Sequence, residues 1–140
     1  LLTSLISDAP GVLAPITKDG DTHSYWFYML RLDLSALKTT REEFVEQLRA
    51  HGASANAGYI PMPMYHYKVF QNHNFFADTW PVRDFGLTTM DYTKVVCPES
   101  ERFLHECVHL PFNEAMNESY IDKVALAIRT VAQRFTKLSA

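Results

Sequence analysis

A regular apolar stripe near the end of the chain constrains the fold more than any other feature. Apolar residues recur there at steps of three and four positions, at Ile121, Val124, Ile128, Val131, Phe135 and Leu138. This spacing predicts an amphipathic helix, and Asn117 stands where an N-cap is needed. Because a helix with one apolar face must bury that face against another layer, we expect it to pack on a sheet.

Residues 25–32 predict the central strand of that sheet. They are β-favouring and apolar on both alternating faces apart from Arg31. This pattern is typical of a strand that is covered on both sides. We therefore expect neighbouring strands on either edge of it.

Further elements complete the predicted fold. Thr40 and Glu43 form a capping box at the start of a helix, and Gly52 follows its last turn. The remaining elements are a short strand over 53–60, a helix opened by Pro98 and a last strand over 108–112. Together they predict a two-layer α/β fold of the α+β type, with a small, mostly antiparallel sheet and helices packed chiefly on one face. We expect residues 1–140 to form a single domain, which their number allows.

Composition excludes several classes of protein. The 13 Lys and Arg residues against 16 Asp and Glu give a formal net charge of −3, which disfavours a basic surface for nucleic acid. No apolar run reaches the about 20 residues that cross a bilayer, and the first residues lack a secretory pattern. Cys97 and Cys107 lack CxxC spacing, so we expect reduced thiols and a cytoplasmic protein that binds neither nucleic acid nor membranes.

Residues 61–97 form a connection far longer than the usual about 4 to 6 residues. The window 59–92 holds nine of the eighteen aromatic residues (9 Phe, 7 Tyr and 2 Trp), which excludes a flexible linker. Two interpretations stay open. The rings form a satellite core that holds the loop, or they line a concave site for a polar, flat or sugar-like ligand. In the second case Tyr59 and Tyr65, near the strand end, are the candidates.

The five residues from His105 to His109 match the HExxH pattern of zinc hydrolases. In that pattern two His one helical turn apart bind the metal, and the Glu, here Glu106, is the general base. Pro111 and the alternation that starts at Val108 indicate a strand, so the two imidazoles are not expected to share a helical face. A zinc hydrolase is kept as an alternative.

A second set of polar rings stands at the entrance of the central strand. His23, Tyr25 and Tyr28 bring titratable and hydrogen-bonding groups to that point, where sites in α/β proteins often form. The other interpretation is that His23 is an ordinary surface residue.

Several short motifs occur in one order along the chain. They are His23-x-Tyr25-x-x-Tyr28 leading into Met29-Leu30-Arg31-Leu32-Asp33, Thr40-Arg41-Glu42-Glu43, Leu48-Arg49-Ala50-His51-Gly52, Gly58-Tyr59-Ile60-x-x-Pro63-x-Tyr65, Cys97-Pro98-x-x-Glu101, Leu110-Pro111 and Ile128-Arg129. In this order and spacing the chain resembles the C-terminal small domain of the DegT/DnrJ/EryC1/StrS aminotransferases, pyridoxal-phosphate enzymes of fold type I. The Gly-Tyr-Ile-x-x-Pro-x-Tyr segment is similar to the branch that acts on free keto-sugars or keto-cyclitols.

The resemblance implies a domain that closes over the substrate of a transaminase. In the family, the Schiff-base Lys, the carboxylate for the pyridinium nitrogen and the phosphate cradle belong to a large N-terminal domain, and the six lysines here match none of these contexts. The chain, which begins at Leu1 without Met, is therefore expected to be a fragment that by itself neither binds pyridoxal phosphate nor transaminates. In the intact enzyme its partners would be its own large domain and a second subunit of a homodimer.

Site residues follow from the resemblance position by position. The residues that it puts nearest the substrate are His23, Tyr25, Tyr59, Tyr65 and, after the last strand, Asn113 with Glu114. Trp26 departs from the family pattern, in which His is common at this position. The alternative function is a stand-alone module that binds a carbohydrate or a protein partner.

Overall fold

The computed structural model describes residues 1–77 and 79–136. The chain divides into two compact units. The first comprises Leu1–Tyr59 and the described chain from His105 onward, and the second comprises Ile60–Leu104.

The first unit contains a three-stranded antiparallel sheet. Its strands are β1 (Val12–Leu13), β2 (Tyr28–Leu32) and β3 (Cys107–Leu110), in the order β1-β2-β3. In the register Val12 pairs with Leu32, and Tyr28 pairs with Leu110. The strand predicted at the centre of the sheet is therefore confirmed in that position.

The helices of the described residues are α1 (Leu2–Leu5), α2 (Arg41–Ala50), α3 (Lys68–Gln71), α4 (Pro81–Asp84), α5 (Pro98–Glu106) and α6 (Glu118–Phe135). The two longest have the predicted caps. Thr40 Oγ1 accepts the N–H of Glu43 at 3.2 Å, and Asn117 Oδ1 accepts the N–H of Tyr120 at 3.0 Å. Gly52 follows α2 with φ +82°, the left-handed conformation in which glycine ends helices. No helix in the described residues is both long and apolar enough to cross a membrane.

One face of the sheet forms the core of the first unit. Tyr28, Leu30 and Leu32 of β2 are buried there beside Val108 and Leu110 of β3. The buried residues that α2 and α6 add to the same core are Phe44, Val45, Leu48, Ile121, Val124, Ala125, Ala127, Ile128, Val131, Ala132 and Phe135. Mixed helices on a small antiparallel sheet confirm the predicted α+β fold class.

The structure corrects three details of the sequence analysis. Strand β2 begins at Tyr28 instead of residue 25, because Tyr25 has φ +47°, outside the extended region. The second face of β2 is half-exposed at Met29 and Arg31, so the strand is fully covered on one side only. Residues 53–60 form no strand and pair with β3 only through Asn56 and His109. Leu138, the last residue of the predicted stripe, lies outside the described residues.

The second unit consists of short helices around a group of rings. Besides α3 and α4 it holds 3₁₀ turns at Met64–His66 and Tyr92–Lys94. The rings of Phe70, Phe75, Trp80 and Tyr92 lie 5.1 to 6.0 Å apart. These four residues form a satellite core, as one of the two interpretations of the aromatic loop requires.

Candidate functional site

An exposed group of rings lies beside the start of β2. It consists of Trp26, Phe27, Tyr59 and His109, and we call it the aromatic platform. The Phe27 ring is 5.0 Å from Tyr59 and 4.8 Å from His109, and the Tyr59 and His109 rings are 5.5 Å apart. Trp26 contacts Phe27 and Tyr59 at 5.7 and 6.2 Å. Tyr59 is 53% exposed and Trp26 80% exposed, so the platform is open to a ligand.

Two backbone features position Tyr59 on the platform. Asn56 and His109 exchange backbone hydrogen bonds of 2.8 and 2.9 Å, which fixes the segment before Tyr59 against β3. Gly58 has φ +81°, and a Cβ on it would lie 3.1 Å from Arg41 Nη1. A glycine is therefore needed for the chain to turn closely past the Arg41 guanidinium.

Burial within the platform favours the neutral form of the His109 imidazole. Burial lowers its pKa, because desolvation disfavours the charged form. Its Nδ1 lies 3.2 Å from Asn56 Nδ2. Since an amide nitrogen can only donate, Nδ1 is the acceptor and the remaining hydrogen is on Nε2. The platform thus combines ring faces, a phenol and an imidazole N–H, groups that suit a polar ring-shaped ligand.

His23 and Tyr25 form a second set of rings with Tyr28. The His23 and Tyr25 rings stack at 3.9 Å, and those of Tyr25 and Tyr28 at 5.6 Å. The Tyr25 N–H donates to His23 Nδ1 at 3.0 Å, which stabilises the positive φ of Tyr25. Tyr28 is buried, which raises its pKa, and its hydroxyl lies 2.7 Å from the Thr3 hydroxyl. Tyr25 and Tyr28 line a cavity of about 230 Å³ with Phe112 and the start of the chain.

The remaining predicted site residues are Tyr65, Asn113 and Glu114, and Glu114 is exposed. Tyr65, in the second unit, is buried; it donates to Glu101 Oε1 at 2.5 Å and accepts the Cys97 N–H at 3.1 Å. Burial, and then the bond to Glu101, raises the pKa of Tyr65. Asn113 is exposed, and its side chain accepts the N–H of Ala115 at 3.0 Å. The structure thus brings His23 and Tyr25 together, and places Tyr59 on the platform.

The HExxH residues do not form a zinc site. Helix α5 ends at Glu106 and β3 begins at Cys107, so His105 and His109 lie on different elements. The Glu106 carboxylate accepts two hydrogen bonds from Arg31, from Nε at 3.2 Å and Nη2 at 2.7 Å. Across the described part of the chain, no group of three or more His, Cys, Asp or Glu residues is arranged to hold a metal ion.

Phe27 and His109 are members of the site that the sequence motifs did not mark. The alternation of Val108 and Leu110 indicates that His109 faces away from the core, and this signal was present in the sequence. The ring contact between His109 and Tyr59 has no local signal in the sequence, because it depends on the single bridge between His109 and Asn56.

Comparison with known proteins identifies the family. The model of the DegT/DnrJ/EryC1/StrS aminotransferase family matches residues 1–129. The chain therefore belongs to this family, as the motifs indicated. None of the curated proteins matches it.

Solved structures share the fold at low sequence identity. The aminotransferase TlmJ from Streptoalloteichus hindustanus is 19% identical with a TM-score of 0.67, and the match covers 95% of this chain and 29% of TlmJ. DesV from S. venezuelae, solved with a ketimine intermediate, is 18% identical with a TM-score of 0.67, and the match covers 95% of this chain and 29% of DesV. Spr1654 from Streptococcus pneumoniae, in its PMP form, is 18% identical with a TM-score of 0.65, and the match covers 95% of this chain and 28% of Spr1654. The chain spans less than a third of the length of each of these proteins.

Proposed function

We propose that this chain is the C-terminal small domain of a pyridoxal-phosphate-dependent aminotransferase that acts on a keto-sugar or keto-cyclitol. The observation that carries the proposal is the family match over residues 1–129. The matched share of TlmJ, 29%, supports a domain of a longer enzyme. Its partners are its own large domain and a second subunit of a homodimer, and the enzyme acts in the cytoplasm.

The residues that the structure describes do not fit the cofactor. Pyridoxal phosphate needs a desolvated Lys, a carboxylate for its ring nitrogen and a phosphate cradle. The described lysines are all exposed; they are Lys18, Lys38, Lys68, Lys94 and Lys123. We therefore assign cofactor binding to the large domain, and the role of this domain is to close over the substrate.

The aromatic platform is the substrate-facing surface that we propose. Its exposed ring faces suit the C–H faces of a sugar or cyclitol, and the Tyr59 hydroxyl and His109 Nε2–H suit the hydroxyl groups. His23, Tyr25, Tyr65 and Asn113 keep the substrate-binding roles that the family resemblance implies.

The full-length enzyme provides the first test. It would be produced from the complete reading frame and assayed for transfer of an amino group to a panel of keto-sugars and keto-cyclitols. Tyr59→Ala should raise KM for the accepted substrate about tenfold, the equivalent of one lost stacking and hydrogen-bonding contact. Tyr67→Ala, which removes an exposed tyrosine outside the platform, is the matched control. An unchanged KM in Tyr59→Ala would refute the assignment of the platform.

The 140-residue chain provides the second test. Incubation with pyridoxal phosphate followed by borohydride reduction should leave its mass unchanged in intact-protein mass spectrometry. A stoichiometric adduct at one lysine would contradict the assignment of the cofactor site to the large domain.

A further inference from the structure

We propose that the second unit contains a separate binding site for a neutral polyhydroxylated ring, a monosaccharide or a cyclitol. A cavity of about 490 Å³ lies within this unit, lined by Asn72, His73, Thr79, Trp80, Arg83 and Asp84. Its volume falls in the range of small-molecule sites, about 300 to 1,000 Å³. None of these residues belongs to the aromatic platform or to the family motifs.

One wall of the cavity is a supported indole ring. Trp80 stacks on the imidazole of His73 with centroids 5.2 Å apart and planes at 21°. Phe75 and Tyr92 contact the same indole at 5.1 and 5.5 Å, which holds it in place. No acceptor within the described residues is paired with the indole N–H. A fixed indole at the wall of a cavity offers apolar ring surface and a hydrogen-bond donor, the combination that binds a sugar ring.

Arg83 supplies oriented donors at the same cavity. Its Nη1 lies 2.9 Å from His73 Nδ1. Because a guanidinium can only donate, this contact orients the Arg83 donors toward the His73 ring. In the described part of the chain Arg83 forms no ion pair, so its other N–H groups are available to a ligand.

The remaining polar groups supply acceptors. Asp84 Oδ2 accepts the backbone N–H of Trp80 at 3.3 Å, which leaves Oδ1 for a ligand. Thr79 Oγ1 donates to the carbonyl of Phe76 at 2.7 Å and keeps lone pairs as acceptors. The side chains that line the cavity thus include one cation and one anion, and both donors and acceptors. This balance favours hydroxyl groups, which donate and accept, over a phosphate, whose charged oxygens chiefly accept.

The backbone around the cavity is also unusual. His73 has φ +52° and Ala77 φ +46°. Residues other than glycine keep this left-handed conformation only where the surrounding structure enforces it, and such positions concentrate at ligand sites. The stacking and hydrogen bond of the His73 ring provide that enforcement.

The test uses the indole N–H signals of the ¹⁵N-labelled 140-residue chain. The chain has two tryptophans, so two signals are expected, and Trp26→Phe assigns them. Titration with myo-inositol or glucose should shift the Trp80 signal saturably. A shift of the Trp26 signal would report on the aromatic platform, so only the Trp80 signal tests this cavity. Inorganic phosphate serves as the anionic comparison and should not shift either signal.

Variants separate binding from a general effect on the unit. Arg83→Lys keeps the positive charge but removes the planar set of guanidinium donors. It should raise the dissociation constant about tenfold, as expected for the loss of one hydrogen bond to a charged group. Arg102→Lys, at an exposed arginine of the same unit, should leave it unchanged. The proposal is overturned if neither polyol shifts the Trp80 signal, if phosphate alone does, or if Arg83→Lys binds like the parent. Because the readout does not involve transamination, each of these outcomes leaves the proposed function standing.

Discussion

Substitution of Gly11 by alanine should destabilise the first unit by a large and calculable amount. Gly11 has φ +67°, and an alanine in this conformation costs about 1 to 2 kcal/mol. A Cβ there would also lie 2.6 Å from Leu37 Cγ and 2.8 Å from Leu37 Cδ2. Leu37 is 1% exposed, and its backbone is bridged to Thr136. Since it cannot move aside without disturbing the core, repacking adds about 1 to 3 kcal/mol.

Gly52→Ala is the matched control for this prediction. Gly52 has a similar φ of +82°, and nothing lies within 4 Å of its ideal Cβ. Gly52→Ala should therefore lower the free energy of unfolding only by the cost of an alanine in the left-handed conformation, about 1 to 2 kcal/mol. Urea unfolding followed by far-UV circular dichroism gives both values as midpoint shifts at a common m value. If the two variants lose the same stability, the contact with Leu37 has no energetic weight and the reasoning is refuted.

Three further predictions concern a cap, a thiol and a carboxylate. Thr40→Ala removes the N-cap bond of α2 and should cost about 1 kcal/mol in the same urea assay; no measurable loss would contradict the capping role. Burial raises the pKa of Cys107, so iodoacetamide should modify the half-buried Cys97 first, and equal rates by peptide mass mapping would refute this. Tyr65→Phe removes the main cause of the lowered pKa of Glu101, so that pKa should rise in an NMR titration. A carboxyl group whose pKa is lowered in the folded state stabilises the fold at pH values above its unfolded-state pKa, and this stabilisation is lost as pH falls through the folded-state pKa. The free energy of unfolding of the variant should therefore fall less on acidification.

The elements that the sequence predicted well carry their own end signals. Helices α2 and α6 are set by side chains within a few positions of their ends, such as Thr40, Gly52 and Asn117. Their apolar stripes then select the face that packs, and no distant partner is needed to read either feature.

The failed strand over 53–60 shows what local patterns omit. Arg49, in the preceding helix, donates from Nε to the carbonyl of Ala55 at 2.8 Å and from Nη2 to Asn56 Oδ1 at 3.1 Å. The Gly58 N–H turns back to the carbonyl of Asn56 at 2.9 Å. The Ala55 carbonyl and the Gly58 N–H, groups that a strand ladder would use, are occupied in this way, and Asn56 with His109 is the one bridge of this segment to β3. Side-chain competition of this kind has no periodicity to detect.

The sequence identified individual residues of the candidate site better than it predicted how they are arranged. The sequence marked Tyr59, His23 and Tyr25, yet the stacking of His23 on Tyr25 depends on a backbone turn with φ +47°. The partners of Tyr59 come from the residues just before β2 and from β3, and their positions follow from the register of two strands far apart in the chain.

That separation sets the order in which the protein can fold. Strands β2 and β3 pair directly, although residues 33–106, including the whole of the second unit, lie between them. The closure of so long a loop must occur before the pair contributes any stabilisation, which slows folding relative to domains with local contacts. During synthesis β2, with its apolar core face, therefore cannot pair with β3 until residue 110 has left the ribosome. The interval is a period in which this strand is exposed to pairing with other chains.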